Sequence, residues 1–463
     1  MNEKLSGIID AYKDEMLLTL KSWLAIPSVQ DKAEEGAPYG REVRNMLNKA
    51  LDDCAKMGFE VKDIDGRAMH AQMGKGEKTL GILCHLDVVP AGEGWTKDPW
   101  GGEIADGKIY GRGTADDKGQ AVAALYAMKA VREAGLPLKD GVRLILGCDE
   151  ETGMSDMEYY RANCDLPDYG FSPDAEYPVI NIEKGGVNMS LIARGRNEEN
   201  AEIPVYSLYA GERCNVVPGK AVAVLGVKNK EALQNKLNAA IKKTGFDAEA
   251  VFAGDKCTLT VTGLSAHASM PELGKNAAMM LLILLAEIGA GACPGIAEVS
   301  RALGLEGNGE SLGIAFKDEE SGALTCNAGL LRYDGNELNV TLDIRYPLCA
   351  KEELILGRAA VRLAGSGVSV RFNGGHAPHY VPGDHKVVKG LIKAYSDVTG
   401  KQGYAFAIGG GTYSRCMPNT VAFGPNFPGD TDMCHMPDEY VGIDRLLESC
   451  KIMAAAICEL AGC

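Results

Sequence analysis

Short clusters of histidine and acidic residues follow predicted strands at several points of this 463-residue sequence. The first is His85-Leu86-Asp87, which closes the apolar run LGILC. Because residues i and i+2 of an extended chain share a face, Asp87 can lie beside the ring of His85. A carboxylate in that position fixes the tautomer of a metal-bound histidine and raises its basicity. Taken alone, the pair also fits a structural histidine, which is the commoner case.

Acidic residues dominate the next two clusters. Asp116 and Asp117 lie in the glycine-rich turn GRGTADDKG, which lacks the spacing of a phosphate-binding P-loop. Asp149, Glu150 and Glu151 follow the apolar run VRLILGC. Adjacent carboxylates raise one another's pKa unless a cation compensates their charge, so both turns suit a cation better than a phosphate. A solvated acidic turn is the alternative interpretation of each.

Two further clusters complete a ligand set for metal ions. Asp174 follows a proline turn in FSPDAEY, and His435 lies in DMCHMPDEY near the other end of the chain. Nitrogen and oxygen ligands without thiolates suit zinc, manganese or cobalt. Two such ions, about 3.5–4 Å apart, share a bridging carboxylate and make a water nucleophilic near neutral pH. The combination therefore predicts a hydrolytic centre with two divalent cations.

The elements that must position these clusters are predicted to form an α/β domain. Short, apolar, β-rich runs at 80–89 and 142–148 flank an alanine-rich helical segment at 119–137, which Gly135 and Pro137 end. This alternation predicts a mostly parallel sheet flanked by helices, with functional groups at the carboxyl ends of its strands.

The middle of the chain has a different pattern. Runs such as CTLTVTGLSAH and ELNVTLDIRYP alternate in the antiparallel manner, with helical stretches at 230–243 and 275–289. Helical patterning resumes after residue 380 and again over 442–461. We therefore expect a catalytic domain formed by residues 1–183 and 381–463, with an inserted α+β lid domain over 184–380.

Composition excludes several classes of partner and location. The net charge of −15 disfavours nucleic acid and anionic membranes as partners. The longest apolar run, at 277–286, is too short to span a membrane, and the N-terminal segment does not read as a signal peptide. Fourteen scattered cysteines without a CxxC pair indicate reduced thiols. These features predict a cytoplasmic protein with no nucleic-acid or membrane partner.

The motifs, taken in order, resemble a known enzyme family. They are HLDVVP, GRGTADDKG, DEETG, SPDAEYPVINIEKGG, GLSAHAS, DIRYP, GGGTYSR and HMPDE. They resemble the dinuclear metallopeptidase family of aminoacylase, carboxypeptidase G, acetylornithine deacetylase and succinyl-diaminopimelate desuccinylase. The resemblance runs from about residue 10 to the C-terminus and is greatest for the dipeptidase branch typified by peptidase V.

The resemblance implies specific metal ligands and catalytic residues. His85 and Asp174 would bind one metal and Glu151 and His435 the other, with Asp116 bridging the two. Asp116 matches, rather than Asp117, because relatives place the bridging acid two residues before a lysine, here Lys118. Asp87 would orient His85. Glu150 would be the general base that takes a proton from the metal-bridging water and later passes it to the leaving amine.

The middle domain would supply substrate contacts in this family. The resemblance assigns His267 to stabilising the oxyanion, with Asn215 assisting. Arg345 would bind the terminal carboxylate of the substrate, a contact that guanidinium geometry favours. The loop Gly409-Gly410-Gly411-Thr412 would complete the pocket. Without the resemblance, the preferred interpretations would be a capped histidine for His267, a turn asparagine for Asn215 and a cross-strand ion pair for Arg345.

We therefore predict a dipeptidase that acts on short peptides with a free N-terminal amine and a free C-terminal carboxylate. Two zinc ions are expected, with manganese or cobalt as alternatives. The long inserted domain resembles that of the monomeric peptidase V branch, which predicts a monomer. One alternative is an N-acyl amino acid deacylase, of the acetylornithine deacetylase or desuccinylase type, on the same site. A second is a non-catalytic binding protein on a hydrolase scaffold, which would have lost Glu150 or a ligand.

Overall fold

Two structural units make up the computed structural model, which describes residues 3–195, 201–290 and 294–462. The first unit comprises residues 1–182, 379–406 and 411–463. The second comprises residues 183–378 and 407–410. Along the sequence, the second unit therefore interrupts the first.

The helices and strands are numbered along the chain. The α-helices are α1 Glu3–Ala11, α2 Lys13–Leu24, α3 Arg41–Lys56, α4 Lys118–Glu133, α5 Ser155–Asn163, α6 Lys230–Thr244, α7 Ala277–Glu287, α8 Ile296–Leu303, α9 Glu352–Arg362, α10 Lys386–Thr399 and α11 Ile443–Ala461. Short 3₁₀ turns cover Pro271–Leu273 and Tyr413–Cys416. The strands are β1 Glu60–Ile64, β2 Ala68–Met73, β3 Thr79–His85, β4 Glu103–Ala105, β5 Lys108–Tyr110, β6 Gly141–Gly147, β7 Tyr169–Ser172, β8 Ala175–Glu176, β9 Val179–Glu183, β10 Gly185–Arg194, β11 Val205–Ala210, β12 Lys220–Gly226, β13 Asp247–Ala253, β14 Lys256–Thr262, β15 Lys317–Asp318, β16 Gly322–Ala323, β17 Thr325–Tyr333, β18 Glu337–Tyr346, β19 Val368–His376, β20 His379–Tyr380, β21 Ala405–Ile408, β22 Thr420–Ala422, β23 Pro425–Asn426 and β24 Tyr440–Gly442.

The first unit is built on a sheet whose central strands are parallel. Its strand order includes β2-β6-β3-β7-β22. Strand β3 runs parallel to both β6 and β7, and β22 runs parallel to β7. Towards the edges, β1, β2 and β9 pair antiparallel with their neighbours. The predicted α/β class is confirmed, and the four parallel strands end at one edge of the sheet.

Helices cover this sheet on both faces. Helices α4 and α11 pack together and against β3 and β6. Helix α4 is buried along most of its length, because its alanines let it approach the sheet and α11 closely. It ends just before Gly135, whose φ of +70° belongs to the left-handed region that closes many helices. Helix α5 and the 3₁₀ turn Tyr413–Cys416 pack on the other face.

The second unit is an antiparallel sheet with helices against it. Eight strands follow the order β13-β14-β12-β11-β17-β18-β10-β19. In β14, Cys257, Leu259 and Val261 are buried and alternate with more exposed threonines, as predicted for a half-buried strand. The apolar helix α7 packs against β12, β14 and β17 and supplies much of the core. No helix within the described ranges is both long and apolar enough to cross a membrane.

Candidate active site

The acidic clusters of the first unit meet at the carboxyl ends of its parallel strands. His85 is the last residue of β3, Glu150 and Glu151 lie in the turn after β6, and Asp174 follows β7. Parallel strands end at the same edge, so segments distant in sequence become neighbours there. A cavity of about 240 Å³ opens at this edge. Its lining includes Asp116, Glu150, Glu151, Asp174, Glu176, Asn426, Asp432 and His435.

The carboxylate of Asp116 lies between two histidines. Its Oδ1 is 2.8 Å from Nε2 of His85, and its Oδ2 is 3.0 Å from Nε2 of His435. Asp174 lies 3.7 Å from Nε2 of His85, and Glu151 lies 3.1 Å from Nε2 of His435. Each oxygen of Asp116 therefore faces a separate histidine–carboxylate pair. This is the arrangement that a bridging ligand requires.

The neighbouring Asp117 faces away from this centre. Its Oδ2 accepts the backbone N–H of His85 at 3.1 Å. The two adjacent acids therefore have different contacts. Asp116 lies among the candidate ligands, and Asp117 supports the strand end that carries His85.

The other nitrogen of His85 is held by the turn that follows β3. Its Nδ1 lies 2.9 Å from the backbone oxygen of Asp87, whose carboxylate is farther away at 3.5 Å. A carbonyl oxygen only accepts, so Nδ1 carries a proton, and Nε2 is the nitrogen that faces Asp116 and would be the metal-binding atom. The carboxylate of Asp87 instead accepts the backbone N–H groups of Glu150 and Glu151, both at 3.2 Å. Asp87 therefore orients the histidine through its main chain and the acidic turn through its side chain.

The pKa values of the cluster reflect its crowded negative charge. Burial lowers the pKa of His85, but hydrogen bonding to Asp116 and Asp87 outweighs this and holds it well above its usual value. Hydrogen bonds to Asp116 and Glu151 raise the pKa of His435 to about 10. Burial, reinforced by neighbouring carboxylates, raises the pKa of Glu150 well above its usual range. So much negative charge in one cavity favours cationic partners.

The donor set fits divalent cations. Two groups of ligand atoms each lie within 4.8 Å of one another: His85, Asp116 and Asp174 form one, and Asp116, Glu151 and His435 form the other. Each group combines one imidazole with carboxylates and shares Asp116. This composition suits zinc, manganese or cobalt, and cations would offset the cost of burying several carboxylates together.

Glu439 supports the Asp116 turn, a role that sequence analysis missed. Its buried carboxylate accepts the backbone N–H groups of Gly113 at 3.0 Å, Ala115 at 2.8 Å and Asp116 at 3.3 Å. Arg112 donates to it at 2.5 Å. The residue lies in the HMPDE motif, four positions after His435. The motif therefore included Glu439, but the sequence did not indicate which segment its carboxylate contacts.

Gln30 supports the acidic turn in a similar way. Its side-chain nitrogen donates to Asp149 at 2.6 Å and to the backbone oxygen of Cys148 at 3.1 Å. Its oxygen accepts from Thr152 at 2.6 Å. Asp149, the first of the three consecutive acids, also accepts the backbone N–H of Ser155 at 3.0 Å. It therefore holds the turn together and does not contribute to the ligand set.

A buried tyrosine and aspartate lie behind the site. The ring of Tyr413 meets the ring of His85 edge to face, with centroids 6.2 Å apart. Its hydroxyl donates to Asp156, which also accepts the backbone N–H groups of Cys148 at 2.6 Å and Asp149 at 3.0 Å. The pair therefore links the end of β6 to the residue that packs on His85. Nothing in the local sequence pattern indicated it.

In the second unit, His267 and Asn215 lie on adjacent segments. Val216 and His267 form an antiparallel bridge, and the backbone N–H of Ala268 donates to the backbone oxygen of Asn215 at 2.9 Å. Nδ1 of His267 accepts from the hydroxyl of Ser269 at 2.6 Å and from its backbone N–H at 3.3 Å. Because Nδ1 is an acceptor, the neutral ring carries its proton on Nε2. The imidazole is exposed and is a hydrogen-bond donor at that nitrogen.

Arg345, also in the second unit, is paired with a carboxylate. Its Nε donates to Asp343 at 2.6 Å, and Nη2 donates to the other oxygen at 2.9 Å. Nη1 donates to the backbone oxygen of Gly409 at 3.2 Å. Since a guanidinium has five N–H groups, one remains on each terminal nitrogen for a further acceptor. The ion pair foreseen as an alternative is therefore present, but it joins residues of one strand, β18, and leaves donors available.

The predicted glycine loop is divided between the two units. Gly409 and Gly410 belong to the second unit, and Gly411 and Thr412 belong to the first. A Cβ on Gly411 would lie 1.6 Å from the Arg415 guanidinium, so a larger residue there would require the Arg415 side chain to move. Thr412 is buried and caps the 3₁₀ turn, its hydroxyl accepting the backbone N–H of Ser414 at 3.1 Å. Gly411 lines the cavity of the first unit.

Comparisons with known proteins agree on one family. A model of peptidase family M20/M25/M40 matches residues 81–459. The chain is 40% identical over 458 residues to the putative dipeptidase YtjP of Bacillus subtilis, which covers 97% of this chain and 98% of that protein. It is 33% identical over 469 residues to the Beta-Ala-Xaa dipeptidase of Lactobacillus delbrueckii subsp. lactis, which covers 99% of each.

Solved structures share the fold at low sequence identity. The dipeptidase Dug1p of Saccharomyces cerevisiae has a TM-score of 0.60 and 14% identity, covering 100% of this chain and 98% of that one. Human carnosine dipeptidase 1 has a TM-score of 0.55 and 18% identity, covering 100% of each chain.

Proposed function

The chain belongs to peptidase family M20/M25/M40, and from that premise we propose that it is a metal-dependent dipeptidase acting on short peptides with free termini. Relatives named as dipeptidases align with it over nearly their whole length. The observation that carries the proposal is the position of Asp116, whose two oxygens face His85 and His435. A carboxylate shared by two ligand groups is the central feature of a two-metal hydrolytic centre.

His85 and Asp174 hold one cation in this proposal, Glu151 and His435 hold the other, and Asp116 contacts both. Bound divalent cations supply polarisation of the scissile carbonyl and a nucleophilic water at neutral pH. We propose zinc as the metal, since imidazole and carboxylate ligands suit it, with manganese and cobalt as the alternatives.

Glu150 is the proposed general base and acid. It lines the same cavity as the ligands and is adjacent to Glu151 in the chain. Its carboxylate takes a proton from the attacking water and delivers it to the amine that leaves. Asp87 keeps Glu150 in place through the hydrogen bond to its backbone N–H at 3.2 Å. A general base contributes only when it is within reach of the proton, so this positioning matters for the rate.

His267, Asn215 and Arg345 are the proposed substrate contacts of the second unit. His267 donates its Nε2 proton to the oxygen that becomes negative when the peptide carbonyl is attacked, and Asn215 assists. The tautomer set by Ser269 supports this role for His267. Arg345 offers its two remaining N–H groups to the terminal carboxylate of the peptide, with Gly409, Gly410, Gly411 and Thr412 completing the pocket.

The test compares one dipeptide with its N-acetylated twin, using protein stripped of metal and resupplied with zinc or manganese. We expect hydrolysis of the free dipeptide alone. A β-alanyl dipeptide belongs in the same assay, because one relative is named a Beta-Ala-Xaa dipeptidase. Release of acetate with the free dipeptide untouched would instead identify an N-acyl amino acid deacylase. Turnover of neither substrate by metal-loaded protein would refute both assignments.

We also propose a monomeric cytoplasmic enzyme. The cysteines within the described ranges form no disulfide with one another, which is typical of a reducing compartment. Light scattering of the metal-loaded protein measures the first property, since a mass of about 49 kDa is expected for one chain. Fractionation of cells that produce the protein measures the second.

A further inference from the structure

The buried side chain of Asn327 in β17 holds the backbone on both sides of Asn215. Its Nδ2 donates to the backbone oxygen of Cys214 at 3.0 Å and to that of Val216 at 3.0 Å. Its Oδ1 accepts from Nδ2 of Asn276 at 2.8 Å. Asn327 is only 1% exposed, so water does not compete for these hydrogen bonds. One amide thus binds the carbonyl oxygens of the residues on either side of Asn215.

The Asn215 segment is in turn hydrogen-bonded to the His267 segment. The backbone N–H of Ala268 donates to the backbone oxygen of Asn215, and the backbone N–H of Val217 donates to the backbone oxygen of Ala266 at 2.9 Å. Two main-chain hydrogen bonds therefore flank His267 and join it to the strand-like segment that Asn327 holds. Any shift of the Asn215 segment would move His267 as well.

Asn276 connects the same amide to the end of the His267 loop. Its Oδ1 accepts the backbone N–H of Met279 at 3.1 Å and so caps α7. Its Nδ2 donates to the backbone oxygen of Ala328 at 3.1 Å as well as to Asn327. The loop that carries His267 is therefore attached to β17 at its far end.

Gly329 and Gly211 lie where the backbone of β17 closely approaches the segment that carries Asn215. A Cβ on Gly329 would lie 2.1 Å from the backbone oxygen of Cys214. A Cβ on Gly211 would lie 1.8 Å from the backbone oxygen of Gly329. The pairing of β17 with β18 also shifts register between Ala328 and Leu330. The sequence Asn327-Ala328-Gly329 is thus shaped to receive the segment that carries Asn215.

We propose that Asn327 is a positioning residue that fixes Asn215 and His267 relative to each other for hydrolysis. The inference rests on the proposed roles of those two residues in the reaction. Asn327 does not contact substrate in this proposal; it acts by holding the main chain from which both side chains extend. A displacement of about 1 Å in a catalytic group is enough to reduce a rate about a hundredfold.

The first test measures hydrogen–deuterium exchange of the metal-loaded protein. Asn327→Asp keeps the acceptor for Asn276 but places an oxygen against the carbonyls of Cys214 and Val216. We expect faster exchange in segments 211–217 and 264–270. Leu191→Ala, which truncates a fully buried side chain of β10 in the same sheet, is the control and should leave these segments unchanged. Unchanged exchange in Asn327→Asp would overturn the proposal, whatever the activity.

The second test is a kinetic double-mutant cycle with His267→Ala. We expect Asn327→Asp to lower kcat about 10- to 100-fold in the otherwise unchanged chain and less than about threefold in the His267→Ala background. Asn276→Ala leaves the contacts of Asn327 to Cys214 and Val216 intact and should lower kcat by a smaller factor. It replaces Asn327→Asp in the cycle if that variant does not fold.

An equal loss of kcat from Asn327→Asp in both backgrounds would overturn the proposal. Full activity of His267→Ala alone would instead refute the proposed role of His267, and the exchange measurement would then decide on Asn327.

Discussion

One oxygen of the Asp87 carboxylate accepts the backbone N–H of Glu150 at 3.2 Å. The other accepts the N–H of the next residue, Glu151, at the same distance. Asp87 is fully buried and follows the strand that ends in His85, so it joins two neighbouring strand ends. One carboxylate therefore holds the backbone of both the proposed general base Glu150 and the proposed metal ligand Glu151.

Asp87→Asn should lower kcat/KM by about 10- to 100-fold. The amide NH₂ would face one of the two N–H donors and push the turn that carries Glu150 and Glu151 away. We also expect weaker metal binding, measured by competition with a chelator, because Glu151 is a proposed ligand. Glu150→Gln is the matched control, which should lose at least as much activity while its metal content stays unchanged. Wild-type kinetics for Asp87→Asn would contradict this account.

Asp116→Ala should remove both metal ions, because its carboxylate contacts both ligand groups. His435→Ala should remove mainly one, since the other group keeps His85, Asp116 and Asp174. Elemental analysis after dialysis gives the metal content per chain. Equal losses in the two variants would mean that Asp116 does not bridge. Asp117→Asn, with its carboxylate turned away from the ligands, serves as the nearby control.

Tyr413→Phe should destabilise the protein by about 1–3 kcal/mol. The substitution removes the hydroxyl that donates to the buried carboxylate of Asp156 but keeps the ring that packs on His85. Thermal unfolding of the metal-loaded protein measures the change. Metal content should be unaffected, because Tyr413 is not a ligand. A loss of bound metal at unchanged stability would contradict this expectation.

His70 should make stability fall as the pH decreases. Burial, with a smaller contribution from Arg143, lowers the pKa of His70 to about 4. The unfolded chain then binds a proton near pH 6.5 and the folded chain does not, so the stabilisation present above that pH is lost on acidification toward about pH 4.

His70→Asn should abolish this dependence and keep a hydrogen-bonding group near Tyr160, which lies 2.7 Å from the ring. Between about pH 7 and pH 5, we expect wild type to lose about 1 kcal/mol more than the variant, after allowance for partial exposure of the ring. Thermal unfolding at several pH values measures the difference. Parallel curves for the two proteins would contradict the expectation.

Local sequence was sufficient for much of the fold. The alanine-rich run before Gly135 predicted helix α4, and the alternating run CTLTVTG predicted strand β14. The spacing of apolar residues and the residues that end a helix are both local features of the sequence, so they can be recognised without the tertiary structure. The motifs that contain His85, Asp116, Glu151, Asp174 and His435 were also recognisable in the sequence.

Only the tertiary structure decided how these residues are held. The sequence suggested that the Asp87 side chain orients His85, whereas the backbone oxygen of Asp87 is closer to the ring and its carboxylate binds the Glu150 turn. Glu439 holds the Asp116 turn, and Asn327 holds the segment of Asn215, from distant positions in the chain. Such contacts depend on which strands are neighbours in a sheet. Packing of the whole core determines which strands become neighbours, because it involves contacts between segments that are far apart in the sequence. The pattern of residues within one segment therefore does not predict the strand order.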